Sequence, residues 1–352
     1  MCPVKDESEN TESVQDRCGL CFARIDVEKE TIECVCGKTY HRECAERINS
    51  CPYCKHEFSS KDFSESRSYH QELEKALELE RKGKLTTALK HYDNAIKLNS
   101  EKTVAWNNKG NALSKMKNYK GATKCYDKVL DMRPENIPAL LNRGLALRNL
   151  GKMEKALKDF NTILELEPSN WKAMYFKGKL FSMQGKHRIA AECFRKTLDQ
   201  CPEYKKAWYE LGLSHKSSGS LESALYDFEA VLELEPKDMG ALFNKAGVLK
   251  GLGEYPKAME AYDVITKMRP DHAAAWHNKA SCLMSMKDDR GALKAVNEAL
   301  RANSKSIKSL VLKAELQKKL GMDSEVKRTL KTARDIDGNI AKRIISKSRI
   351  LN

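Results

Sequence analysis

From residue 69 onward, apolar and polar positions follow the three-to-four spacing of long amphipathic helices, and the whole pattern recurs every 34 residues. Eight such repeats run from 69 to 340 without an insertion or deletion. The eighth position of each is small: Ala76, Gly110, Gly144, Gly178, Gly212, Ala246, Ala280 and Ala314. Position 20 is Ala in seven repeats and Val326 in the last, while position 24 carries bulk: Tyr92, Tyr126, Phe160, Phe194, Phe228 and Tyr262, then Val296 and Leu330. Two helices approach closely only where neither carries a large group, so this alternation predicts a helical hairpin packed in the same way eight times. Position 15 is Gly in six repeats (Gly83, Gly151, Gly185, Gly219, Gly253, Gly321), as expected where a helix ends in a left-handed residue. Position 32 is Pro in five (Pro134, Pro168, Pro202, Pro236, Pro270), which removes a helical donor and stops the second helix. The expected fold is all-α, a solenoid of thin layers.

These positions, with Trp106, Trp208 and Trp276 at position 4, resemble the tetratricopeptide repeat (TPR). The resemblance implies a right-handed superhelix of eight helix pairs. It also implies a concave groove lined by positions 2, 5, 6, 9, 12 and 13 of each first helix, where a protein or peptide lies. The usually apolar position 7 is instead Lys75, Lys109, Arg143, Lys177, Lys245, Lys279 and Lys313, whose stems are expected to lie along the apolar seam. Residues 341–352 are basic and amphipathic and read as a helix capping the last repeat.

The N-terminal sixth is different. Residues 1–16 are acidic and aperiodic, the composition of a disordered tail. Residues 61–68 form a polar linker, and the intervening 17–60 hold eight potential metal ligands in four pairs: Cys18 and Cys21, Cys34 and Cys36, His41 and Cys44, Cys51 and Cys54. Zinc takes four such ligands, so eight imply two ions. Neighbouring pairs could share a metal. The favoured alternative interleaves them, with Cys18, Cys21, His41 and Cys44 at one ion and Cys34, Cys36, Cys51 and Cys54 at the other. About forty residues with few large apolar side chains need such staples, so metal binding and folding are expected to be coupled.

The Cys51-Pro52-Tyr53-Cys54 end and the ligand order resemble a RING-type finger of the variant RING and PHD sort, a small zinc-stabilised cross-brace domain. In RING-type ubiquitin ligases, an apolar residue of the first knuckle and a Pro of the last touch the ubiquitin-conjugating enzyme, and a basic residue after the last ligand activates the conjugate. The matching residues are Leu20, Pro52 and Lys55. Two readings stand: a finger that docks a partner, or a ubiquitin-type ligase whose repeats receive substrate. Neither supplies a catalytic nucleophile, and four protein ligands at each ion leave no open position for hydrolysis.

Position 6 carries Asn108, Asn142, Asn244 and Asn278. An amide side chain both donates and accepts, so a row of them can bond the backbone of an extended peptide. This resembles the asparagine ladder of the O-linked GlcNAc transferase repeats, without that enzyme's catalytic domain. Around it stand Asn107, Asn111, Lys115, Arg148, Lys179, Lys216, Lys250 and Lys318, with Tyr175, Phe176, Tyr209 and Phe243 as anchors. A basic, partly aromatic groove favours acidic or C-terminal carboxylate peptides.

The formal net charge of +14 raises nucleic acid as a partner, and since residues 1–16 are acidic and 17–68 balanced, the excess falls on the repeats and tail. Lysines there alternate with Glu, as in 155–167, which reads as a solvated outer face and places nucleic acid below a protein partner. No apolar run is long enough to span a membrane, and the acidic start has no signal-peptide pattern. A cytoplasmic protein is expected.

Overall fold

A computed structural model describes residues 31–33, 39–48, 50–53, 55, 57 and 60–346. They fall into two compact bodies, one ending at Leu180 and the other beginning at Phe181. In the first, strand β1 (Thr31–Glu33) pairs antiparallel with β2 (Thr39–His41), Thr31 opposite His41. Helix α1 (Arg42–Ile48) packs on both strands, and α2 (Ser60–Arg81) touches β1. Residues 61–68, expected as a linker, are helical and form the first two turns of α2. With no Gly or Pro between 60 and 81, nothing in the sequence interrupts that helix.

The remaining helices alternate first and second members of each pair. In the first body they are α3 (Leu85–Leu98), α4 (Thr103–Lys115), α5 (Tyr119–Met132), α6 (Ile137–Asn149), α7 (Met153–Leu166) and the start of α8 (Trp171–Met183). The second body continues with α9 (His187–Gln200), α10 (Lys205–Ser217), α11 (Leu221–Leu234), α12 (Met239–Gly251), α13 (Tyr255–Met268), α14 (Ala273–Ser285), α15 (Asp289–Ala302), α16 (Ile307–Lys319), α17 (Asp323–Ile336) and α18 (Gly338–Ile345). Within each body the pairs stack solenoidally, α2 to α7 packed on their chain neighbours in the first and α9 to α18 in the second. Helix α18 packs on α16 and α17 and buries Ala341 and Ile345.

The small and large positions interlock within a repeat. A methyl group on Gly110 would stand 2.5 Å from the Tyr126 ring, on Gly144 2.6 Å from Phe160, and on Gly212 2.8 Å from Phe228. Position 15 is left-handed in all eight repeats. The six glycines have φ between 71° and 85°, and Lys117 and Lys287 take the same conformation at 61° and 66°, at a cost of roughly 1 kcal/mol each. The hairpin therefore requires that turn even where no glycine supplies it.

Two further kinds of contact bind several of the repeats to the one before. The indole N–H groups of Trp106, Trp208 and Trp276 donate to the position-32 carbonyls of Ser100, Pro202 and Pro270 at 2.8–2.9 Å. They thereby satisfy carbonyls just beyond the preceding helix. The cations at position 7 do more than lie along the seam, because their heads reach the acid at position 25 of the preceding repeat: Lys109 to Asp93, Arg143 to Asp127, Lys245 to Glu229 and Lys279 to Asp263, at 2.5–2.9 Å. Arg143 also forks onto the buried Asp159 of its own repeat, at 2.7 and 2.9 Å.

Position 25 is not an acid in every repeat: Asn161 and Asn297 precede Lys177 and Lys313, and in one repeat the charge is reversed. Position 25 of the fourth repeat is Arg195, and the facing position 7 is the uncharged Leu211. Arg195 instead donates to Nε2 of His215 at 2.9 Å, and His215 Nδ1 lies 2.5 Å from Asp227. A proton on Nδ1 satisfies both contacts. Burial pushes the Asp227 carboxyl above its ordinary range, against the pull of His215 and Arg195.

Candidate interaction face of the first helices

First helices of adjacent repeats touch: α4 with α6 in the first body, and α10, α12, α14 and α16 in series in the second. Positions 6, 9 and 12 recur on one side of each helix because they lie three apart. In the first body, Asn111 Oδ1 accepts from the Tyr126 hydroxyl at 2.8 Å and from Asn142 Nδ2 at 3.0 Å. Asn108 is half-buried beside them, and Asn107 Oδ1 is buried with no hydrogen-bond partner among the described residues. The Arg148 guanidinium stands 5.5 Å above the Phe176 ring, which meets Tyr175 edge-on. Lys179 lies half-buried on α8.

In the second body, Lys216 Nζ donates to Asn244 Oδ1 at 2.9 Å and Lys250 Nζ to Asn278 Oδ1 at 3.2 Å. Asn244 Nδ2 in turn donates to the Tyr209 hydroxyl at 3.0 Å and to the Gly240 carbonyl at 2.9 Å. One construction underlies these contacts and the Arg148 contact: position 12 of one repeat lies against position 6 of the next. Lys216 and Lys250 have no carboxylate ion-pair partner among the described residues. Burial, then the neighbouring Lys250, holds the Lys216 ammonium below its usual pKa. Burial followed by Lys250 and Lys308 depresses His277 to about 4, so it is neutral at pH 7.

Three of the four asparagines of the expected row thus bond other groups of the protein rather than one another. Asn142 bonds Asn111 rather than Asn108, and Asn244 uses its donor and acceptor within the protein. The position 12 to position 6 contact was not foreseen, although both residue types stood in the repeat alignment.

In the N-terminal segment, His41 Nδ1 and Cys44 Sγ are 4.0 Å apart. Cys51 is buried and lies 3.1 Å from the Tyr40 hydroxyl. The turn from Cys51 closes with the Lys55 N–H donating to the Cys51 carbonyl at 2.9 Å, Lys55 being left-handed at φ 62°. Pro52 and Lys55 are exposed on that turn. Cys18, Leu20, Cys21, Cys34, Cys36 and Cys54 lie outside the described residues.

Profiles of the tetratricopeptide repeat match 103–136 and 137–170, 175–238, 216–282 and 273–306, together more than half of the chain. The chain belongs to the tetratricopeptide repeat family. Among solved structures, a TPR protein from Parabacteroides merdae matches 76% of this chain and 99% of its own at 20% identity, with a TM-score of 0.53. PilW, a type IV pilus biogenesis factor, matches 56% of this chain and 92% of its own at 20% identity and TM-score 0.52. YrrB, described as a TPR protein with an unusual peptide-binding site, matches 53% and 97% at 22% identity and TM-score 0.50. These likenesses are of fold. No curated protein matches the chain. Among the described residues, no helix of this TPR protein is long and apolar enough to cross a membrane.

Proposed function

We propose that the chain is a scaffold that holds a polypeptide along the first-helix face of its repeats and docks a second partner on a zinc-bound finger. The carrying observation is the buried Asn107 Oδ1 at position 5 of α4, an acceptor without a donor among the described residues. Buried polar atoms are ordinarily satisfied, and a peptide N–H would satisfy this one. That YrrB, of the same fold, has a peptide-binding site supports the class of occupant. Lys216 and Lys250, which have no carboxylate partner among the described residues, favour an acidic one. The test is fluorescence polarisation with a peptide selected by display on the full chain. Replacing Asn108 and Asn142 together with Ala, or Asn107 with Leu, is expected to weaken binding at least tenfold, and unchanged affinity for both variants would remove the groove as the site.

For the finger, zinc would be held by Cys18, Cys21, His41 and Cys44 at one ion and Cys34, Cys36, Cys51 and Cys54 at the other. Ordinary Zn–S and Zn–N lengths at a tetrahedral ion place S and N about 3.6 Å apart, close to the 4.0 Å between Cys44 and His41. The metal supplies a staple, while the chain's own turn at Cys51 presents Pro52 and Lys55 to solvent. Metal analysis of the full chain is expected to give two zinc ions, and Cys44→Ser one or none; a metal-free but folded finger would end this reading. Exposure of Pro52 and Lys55 also leaves room for the ligase reading. In that case the full chain, with ubiquitin and its activating and conjugating enzymes, forms conjugates that Leu20→Ala abolishes.

A further inference from the structure

The hydroxyl at position 24 occurs in three repeats, and its fate differs in one. Tyr92 donates to Glu80, at position 12, at 2.6 Å, and Tyr126 donates to Asn111, at position 9, at 2.8 Å. In the sixth repeat, position 9 is Gly247 and position 12 is Lys250, so neither can accept from Tyr262. The Tyr262 hydroxyl is fully buried and has no hydrogen-bond partner of ordinary geometry among the described residues, although the Asn278 amide is near enough to ease its ionisation. A methyl group on Gly247 would stand 3.7 Å from Lys216 Nζ and 4.0 Å from this hydroxyl, so the missing side chain leaves a hollow flanked by both. Lys250 lies one helical turn further along α12 and is close enough to act electrostatically on Lys216.

Lys216 and Tyr262 can both donate into this hollow, and Lys216 and Lys250 are ammonium ions with no carboxylate paired to them among the described residues. Each gives one hydrogen to an asparagine and keeps two. A monocarboxylate would leave one positive charge uncompensated, whereas a phosphate monoester dianion neutralises both and offers three terminal oxygens to three donors. We propose that Lys216, Lys250 and Tyr262, around Gly247, form a binding site for a phosphorylated side chain of a bound polypeptide. This rests on the scaffold reading above and names the chemistry of its partner.

The full chain labelled with 15N-glycine is titrated at constant ionic strength with inorganic phosphate and, separately, acetate, following the Gly247 amide resonance. This needs no peptide, so its failure is distinct from failure of the scaffold reading. Saturable movement of Gly247 with phosphate, at least tenfold tighter than with acetate, is expected. Lys216→Met should abolish it, and Tyr262→Phe should weaken it at least threefold while melting no lower than the parent, since the lost hydroxyl was unpaired in the fold. A second arm compares two glycine-rich peptides differing only in phosphoserine or glutamate. Equal affinity for the two, no saturable shift with phosphate, or an unaltered shift in both variants overturns the proposal.

Discussion

Replacing Arg143 with Met destabilises the first body by about 3 kcal/mol, the low end for breaking a buried ion pair, because a quarter of Arg143 remains in solvent. The partner left behind is Asp159, which is 3% exposed and would keep no cation in hydrogen-bond range. The loss depends on pH in a defined direction. Burial already raises the Asp159 carboxyl above its ordinary value despite Arg143, and removing the guanidinium raises it further. A carboxyl whose folded pKa is raised favours the fold below the unfolded value, about 3.9, and ceases to as pH climbs through the folded value. The variant's deficit should therefore be largest at neutral pH and shrink as pH falls toward 4. Urea unfolding at pH 7.5 and pH 4.5 measures this, and the double variant Arg143→Met, Asp159→Leu should recover most of the stability. Equal deficits at both pH values would show that Arg143 acts through packing alone.

Gly144→Val costs about 2 to 3 kcal/mol, the range for forcing extra methylenes into a packed core. The added carbon would lie 2.6 Å from Cε1 of Phe160, whose ring is fully buried between α6 and α7. That helix interior would otherwise welcome a residue other than glycine, by a few tenths of a kcal/mol or more, so any net loss reports the ring. Shortening the ring in Gly144→Val, Phe160→Leu should restore part of it. Thermal unfolding of the single and double variants distinguishes this steric account from one in which Gly144 serves only the backbone, because the second substitution then gives no rescue. Repeats with Ala at position 8 and Tyr at position 24, such as Ala246 with Tyr262, show that the hairpin tolerates one carbon when the neighbouring ring is placed to receive it.

The repeat architecture was legible because it is written in periodic terms. Glycine at position 15, alanine at position 20 and a ring at position 24 are each answers to a local steric demand, and eight aligned copies make the demand visible. The ion pairs between positions 7 and 25 were equally present in the sequence. They were missed because the partners sit in different repeats, although the four matched pairs, and the loss of the cation at Leu211 where Arg195 faces it, carried a signal that could have linked them. That 61–68 is helical was not legible for a different reason: polar composition weakens a helix's burial but does not end it, and α2 runs through these residues.

The candidate site was legible in residue type and not in connectivity. Asn142 and Asn244 lie on first helices, α6 and α12, but which partner each amide chooses depends on side chains reaching from adjacent helices. For the same reason, the vacancy at Gly247 could not be read from composition, since a glycine there is unremarkable until Lys216 and Tyr262 are seen on either side of it.

By itself, then, the order of residues determined the helical hairpins, their period and their turns, because these depend on contacts within about one repeat length. Tertiary packing alone decided which donors and acceptors satisfy one another and which are left over. Those outcomes depend on distances between helices that the chain brings together only after each has formed, and an unsatisfied buried hydroxyl exists only in relation to everything packed around it.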